Sequence, residues 1–241
     1  MLPHEIPVAF LGQFGDAIDF ILHGQEAVGG GVQVGGPDQV IDFALAQLKL
    51  TALAMLLGLA IALPAGLVLG HYGKGEFLAV GLGNLGRAIP ELAFIAFLAA
   101  AIGVGLGNLT IALAVLAIPP ILTNVFVGVR QVSRSAVDAA EGMGMSTARV
   151  ISRVELPLAI PTIMSGIRTA TINVVATATI APLAGYSTLG RYIISRNVYG
   201  DDGALAGAIC VALLALTLEL SLAGVQRLLT SPGLRLARAT A

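Results

Sequence analysis

The chain has 241 residues, 56% hydrophobic and only 11% charged, where an ordinary soluble domain carries about 25% charged residues. A mean hydropathy of +0.91 places it among membrane proteins, and a formal net charge of −1 excludes broad electrostatic attraction to nucleic acid. The lone cysteine, Cys210, excludes an intrachain disulfide and sits in an apolar run as a small hydrophobe. His4, His23 and His71 are scattered without metal-ligand spacing, so no metal site is expected.

Residues 1–37 stand apart. "VAFLGQFGDAIDFIL" is apolar on one side and interrupted by Asp16 and Asp19. It reads as an amphipathic helix on the membrane surface, in preference to a sixth span. "GQEAVGGGVQVGGPD" follows and reads as a flexible linker. No Lys or Arg precedes the first apolar stretch and no small-residue cleavage site follows it closely, unlike a signal peptide.

Residues 38–229 form the main domain. A helix needs about 20 apolar residues to cross the hydrocarbon core. Five stretches qualify: 43–69, 91–107, 109–129, 160–185 and 204–229. Period-2 alternation is absent, and lone strands cannot cross lipid, so no strands are expected. The fold class is all-α: a polytopic membrane helix bundle of five core spans with an N-terminal amphipathic helix. Residues 230–241 read as a cytoplasmic tail.

Lys and Arg, 13 in all, set the orientation. None precedes the first span. Lys74 and Arg87 join spans one and two, while Arg130, Arg134, Arg149 and Arg153 join spans three and four. Arg227, Arg235 and Arg238 close the chain, and the remaining connections hold Arg191 and Arg196. The positive-inside rule puts the N-terminus outside and the C-terminus in the cytoplasm, a parity that five spans satisfy.

The loop at 130–159 is then cytoplasmic. From Ser133 to Ser152 its pattern predicts two short helices. Val137, Ala140 and Met143 share a face of the first, Gly142 and Gly144 turn the chain, and Ser146 is placed to cap the second. Pro157 is expected to end that second helix before the fourth span. Such a knob offers Ala139 and Ala140 as small residues for close approach by another protein.

Other residues are candidates on chemical grounds. Arg168 and Glu219 lie at similar depth in spans four and five, where an isolated charge is costly; they read as a pair or as lining of a translocation path. Thr171, Asn173, Thr177 and Thr179 add polar groups to span four and are the other candidates for that path. Arg87 and Glu91 are spaced i,i+4 as a surface ion pair. Pro64, Pro90, Pro119, Pro120 and Pro182 read as kinks from packing or as hinges. Gly66 with Gly70, and Gly103 with Gly107, have the spacing of close helix packing, against this chain or a partner. The outer loop at 186–202 carries Tyr186, Tyr192 and Tyr199, and reads as a plain connector or as an outer gate with a short helix. "GHYGKGE" lacks the spacing of a phosphate-binding loop, and the histidines support no catalytic triad. No catalytic residue is assigned and no hydrolysis is expected in this chain.

The loop also carries a resemblance. Asp138-Ala139-Ala140, then Glu141, Gly142 and Met143, then Gly144, nine residues, and Val154-Glu155-Leu156-Pro157 resemble the EAA motif of bacterial ABC importer permeases. Asp138 replaces the motif Glu and Val154 the motif Ile. "ALPAGLVLGHYGKG", "GNLGRAIPELAFIAFLAAAIGVGLG", "AIPPILTNVFVGVR" and "VVATATIAPLAGYSTLGRYI" look like the glycine betaine, carnitine, choline and proline branch. The likeness covers about residues 40–230 and implies a type I importer permease in the bacterial cytoplasmic membrane. It implies that Asp138, Ala139, Ala140, Glu141, Gly144, Val154, Leu156 and Pro157 dock on an ATP-hydrolysing subunit. It also implies a pair of ATPase subunits holding ATP and Mg, an extracytoplasmic solute-binding protein, and a second permease, identical or homologous. No cofactor is expected on this chain itself. With no Trp and 5% aromatics, an aromatic cage for a quaternary ammonium is not expected here. An ion-gradient-driven transporter or channel subunit is the alternative, and a membrane scaffold a third.

Overall fold

A chain this apolar satisfies its backbone hydrogen bonds internally, as helix. The computed structural model describes residues 5–77, 81 and 90–231, with side chains from residue 12 onward. In chain order these are α1 (Glu5–Leu22), a hairpin of β1 (Gln25–Glu26) and β2 (Gln33–Val34), α2 (Gly36–Tyr72), α3 (Glu91–Ile102) and α4 (Leu106–Arg130). Then come α5 (Arg134–Gly142), α6 (Thr147–Val150), a π-helical turn (Ile151–Glu155), α7 (Leu156–Thr177), a 3-10 segment (Ala178–Ala184), α8 (Gly190–Ile194) and α9 (Arg196–Leu229).

Among the described residues, four helical stretches are long and apolar enough to cross a membrane: α2, α4, the run Thr147–Ala184, and α9. The expected span at 91–107 differs. Its described part is α3, with 12 residues, about 18 Å long at 1.5 Å per residue and short of a core about 30 Å thick. Gly103, at φ 90, ends it.

The region read as a flexible linker is a tight antiparallel hairpin, Gln25 opposite Val34 and Glu26 opposite Gln33. Its glycines are needed for close approach. A Cβ on Gly35, at φ 83, would meet the Phe20 carbonyl oxygen at 2.7 Å. Two-residue strands outside the apolar spans escape the rule against lone strands in lipid. Helix α1 is held down by Ala17 and Phe20, both buried against Tyr192, Tyr199 and Ala206, while Asp16 and Asp19 stay exposed.

The main core joins α2, α4 and α7. On α2, Gly58, Ala62, Gly66 and Gly70 form a buried stripe one turn apart. A Cβ on Gly66 would meet Val125 Cβ at 2.7 Å, and one on Gly70 would meet Val129 Cβ at 2.7 Å. The Gly66–Gly70 pair therefore packs against this chain's own α4. Gly103 and Gly107 do not pack this way, since a Cβ on either meets nothing within 4 Å; Gly103 serves the turn from α3 to α4. On the other face of α4, Gly128 meets Thr162 and Ala159, and Asn124 meets Gly166. Helices α2 and α4 continue through Pro64, Pro119 and Pro120.

The bundle has two recognisable ends. At one, Gly73 abuts Arg130 and Gln226 donates to the Pro161 carbonyl at 3.3 Å. At the other, Gly105 N–H donates to the Ala184 carbonyl at 3.1 Å and Tyr192 contacts Gln39. Outward faces of α2 and α9 carry exposed Leu45, Leu53, Leu56, Leu213, Leu216 and Leu220, suited to lipid.

Candidate functional site: a projecting loop and a polar helix

Ser133 caps α5, its hydroxyl accepting from Ala136 N–H at 3.3 Å. The apolar residues of the loop then turn inward: Val132, Val137, Ala140 and Val150 form a small core of their own, with Met145 and Val154 packed on it. This gives a stiff knob. Gly144, at φ 79, makes its sharp turn with open space around it. Asp138, Ala139, Glu141 and Gly144 are exposed, Val154 and Leu156 are half-buried, and Pro157 is exposed.

Three expectations for the knob are corrected. Met143 is 72% exposed, because it caps α5 instead of continuing its inward face. Ala140 is buried, so it builds the knob and only Ala139 is free for close approach. Pro157 does not end a helix: the chain stays helical from Thr147 to Ala184. Leu156 N–H donates to Ile151 O, five residues back, in the wider π turn. That widening comes just before Pro157, which has no N–H and whose ring would crowd a regular α turn.

Behind the knob, Glu155 is 2% exposed and meets His71, in the last turn of α2, at 2.9 Å between Oε2 and Nδ1. The His71 ring also packs edge-on against Tyr72, 5.1 Å between centroids. Sequence reasoning missed this pair. The available signal was a carboxylate between Val154 and Leu156, both apolar.

The structure joins Arg168 and Glu219. Arg168 Nε donates to Glu219 Oε1 at 2.9 Å, Nη2 donates to the same oxygen, and Nη1 donates to Gln226 Oε1 at 3.0 Å. The other path candidates do not share one face. Thr171 is buried and donates to its own helix at the Ile167 carbonyl. Thr177 is buried and donates to Glu91 Oε2 at 2.5 Å, and Thr179 donates to the Ala176 carbonyl. Asn173 is exposed, in register with exposed Ser165 and Thr169. These three are four residues apart and form a polar stripe on α7. The partner of Glu91 in the structure is thus Thr177; Arg87 lies outside the described residues. Thr177 is about 30 Å of helix beyond Leu156, so Glu91 lies at the end of the bundle opposite the loop at 130–159, not at the same end as expected.

The connection at 186–202 contains the short helix α8. Tyr192 is fully buried, edge-on to Phe20 at 5.3 Å and to Tyr199 at 4.9 Å. Burial pushes its phenol well above the ordinary range. Tyr199 is buried with it, and Tyr186 is half-buried, its hydroxyl donating to the Ala46 carbonyl at 3.4 Å. Two of the three candidate gate tyrosines therefore anchor α1 inside a packed aromatic cluster.

An apolar helical bundle with a compact, charged loop at one end is the architecture of a polytopic membrane protein. Residues 55–231 match the family described as "Binding-protein-dependent transport system inner membrane component", and the chain belongs to it. It is a multi-pass permease subunit of an ABC importer, not an enzyme, in a family that works with ATPase and binding-protein partners. The choline transport system permease protein OpuBB of Bacillus subtilis (strain 168) is 37% identical over 189 residues, 78% of this chain and 87% of that protein. The carnitine transport permease protein OpuCB of Listeria monocytogenes is 39% identical over 186 residues, 77% of this chain and 85% of that one. The fold matches the inward-facing MetNI methionine ABC transporter in its native crystal form. There the TM-score is 0.68 at 21% identity, covering 80% of this chain and 96% of that one.

Proposed function

We propose that this permease carries a quaternary-ammonium osmoprotectant, of the choline, glycine betaine or carnitine kind, into the cytoplasm. The observation that carries the reading is identity of 36–39% over more than three quarters of the chain to permeases named for those solutes. Two permease copies, or this chain with a homologue, pair around a central path. The polar stripe of Ser165, Thr169 and Asn173 faces that path, because exposed polar groups in a spanning helix are poorly suited to lipid. The knob docks on one of two ATPase subunits, which hold ATP and Mg. A solute-binding protein delivers cargo at the end bearing α8, and the end bearing Arg130, Arg134, Arg149 and Arg153 is cytoplasmic. ATP binding and hydrolysis shift the bundle between two states through contacts at the knob that differ between them.

The test is uptake of labelled choline, glycine betaine and carnitine into liposomes holding this chain, its ATPase and its binding protein. Uptake of at least one solute is expected to require internal or external ATP at the ATPase face. Uptake that ignores ATP and follows an ion gradient would sink the reading.

A further inference from the structure

The π-helical turn Ile151–Glu155 joins the knob to α7, while residues 131–133 join its other side to α4. A wider turn is a soft place in a helix and recurs at functional positions. In this chain it is braced from outside. Glu155, its last residue, is 2% exposed, and the His71 side chain, 10% exposed, lies with Nδ1 2.9 Å from its Oε2, within hydrogen-bond distance. His71 belongs to α2, which is locked to α4 by the contacts of Gly58, Gly66 and Gly70 with Ala117, Val125 and Val129. The brace therefore joins the soft turn to a closely packed helix pair. Packing alone does not call for an acid there, because a buried polar group costs free energy unless it is paired.

We propose that His71 is a positioning residue for energy coupling: by holding Glu155, it passes movement of the knob to α2, which has no chain connection to the knob, as well as to α7. Without the tie, the π turn flexes and the knob moves while the path does not. The inference rests on the reading of the knob as the ATPase dock, and it assigns a role to residues outside the docking surface.

The experiment uses the full chain reconstituted with its ATPase and binding protein, and reads solute transported per ATP hydrolysed. Three variants are compared: His71→Phe, the double variant His71→Phe with Glu155→Leu, and Glu155→Gln. The double variant leaves no unpaired buried carboxylate, so its defect reports the tie itself. All three are expected to insert, to co-purify with the ATPase and to keep basal ATP hydrolysis within about twofold of the parent, because the docking surface is intact. Transport per ATP is expected to fall at least about tenfold in the first two variants. Glu155→Gln, which still accepts from His71, retains about half or more. A double variant that transports at the parental ratio overturns the proposal. So does loss of ATPase association in parallel with transport, which would make the pair a folding element. Absence of ATP-driven uptake by the parent protein would count instead against the proposed function.

Discussion

At the scale of single residues, position decides what each polar group does. Arg168 and Glu219 are 31% and 25% exposed in the isolated chain, yet both lie within spanning helices. Leaving one such charge alone costs about 2.5–3.5 kcal/mol at a helix centre. Glu219→Leu is therefore expected to unfold earlier in detergent than Arg168→Met with Glu219→Leu, by roughly 3 °C or more for a chain of this size. Equal melting temperatures for the single and double variants would show that the pair contributes no coupling. Gly190 illustrates close approach: a Cβ there would overlap the Thr179 carbonyl, because the outer loop folds back on the 3-10 segment. The hydroxyl of Thr188 secures the same contact, donating to the Ala178 carbonyl at 2.9 Å.

At the scale of elements, the knob is a miniature domain. Its four buried apolar residues hold its shape, and Asp138, Ala139 and Glu141 are exposed on it. Ala139→Arg adds bulk there without touching the small core. Gly144→Asp adds a charge at φ 79, a conformation Asp tolerates better than most residues. Both variants are expected to insert normally and to lose at least about tenfold in affinity for the ATPase, about 1.4 kcal/mol. Normal pull-down in both would argue strongly against docking through this face. Ala140→Arg is a poorer probe, since it places a charge in the knob's own core. Helix α1 is the contrasting element. Its amphipathic pattern was legible, but its anchorage was not, because Phe20, Tyr192 and Tyr199 come together only in three dimensions.

At the scale of the whole molecule, the two ends differ in charge and in texture. The knob with Arg130, Arg134, Arg149 and Arg153 marks one; the hairpin, α8 and the aromatic cluster, with only Arg191 and Arg196, mark the other. The orientation read from Lys and Arg makes a direct prediction. With Cys210 replaced by Ser, a cysteine at Asp201, which is exposed, should react with a membrane-impermeant maleimide in intact cells. A cysteine at Ser135 on the exposed knob should react only after the membrane is opened. The reverse pattern would invert the topology. The exposed leucines of α2 and α9 should meanwhile face lipid or a partner permease, as expected where no water competes for them.

By itself the sequence determined the solvent, the long apolar helices α2, α4, α7 and α9, and the place of the loop. Hydrophobic run length, the distribution of arginine and the spacing from Asp138 to Pro157 are local properties, and they needed no partner to be read. Tertiary structure decided what depends on which residues meet. It turned a glycine-rich linker into a hairpin and placed Glu91 beside Thr177. It withdrew Thr171 and Thr177 from the exposed face of α7, and joined His71 to Glu155 across 84 positions of chain. The reason is physical. A helix presents a different residue every 100° or so, so a polar residue in a span is lining, pairing or packing according to the neighbour it faces, and only the packed bundle supplies that neighbour.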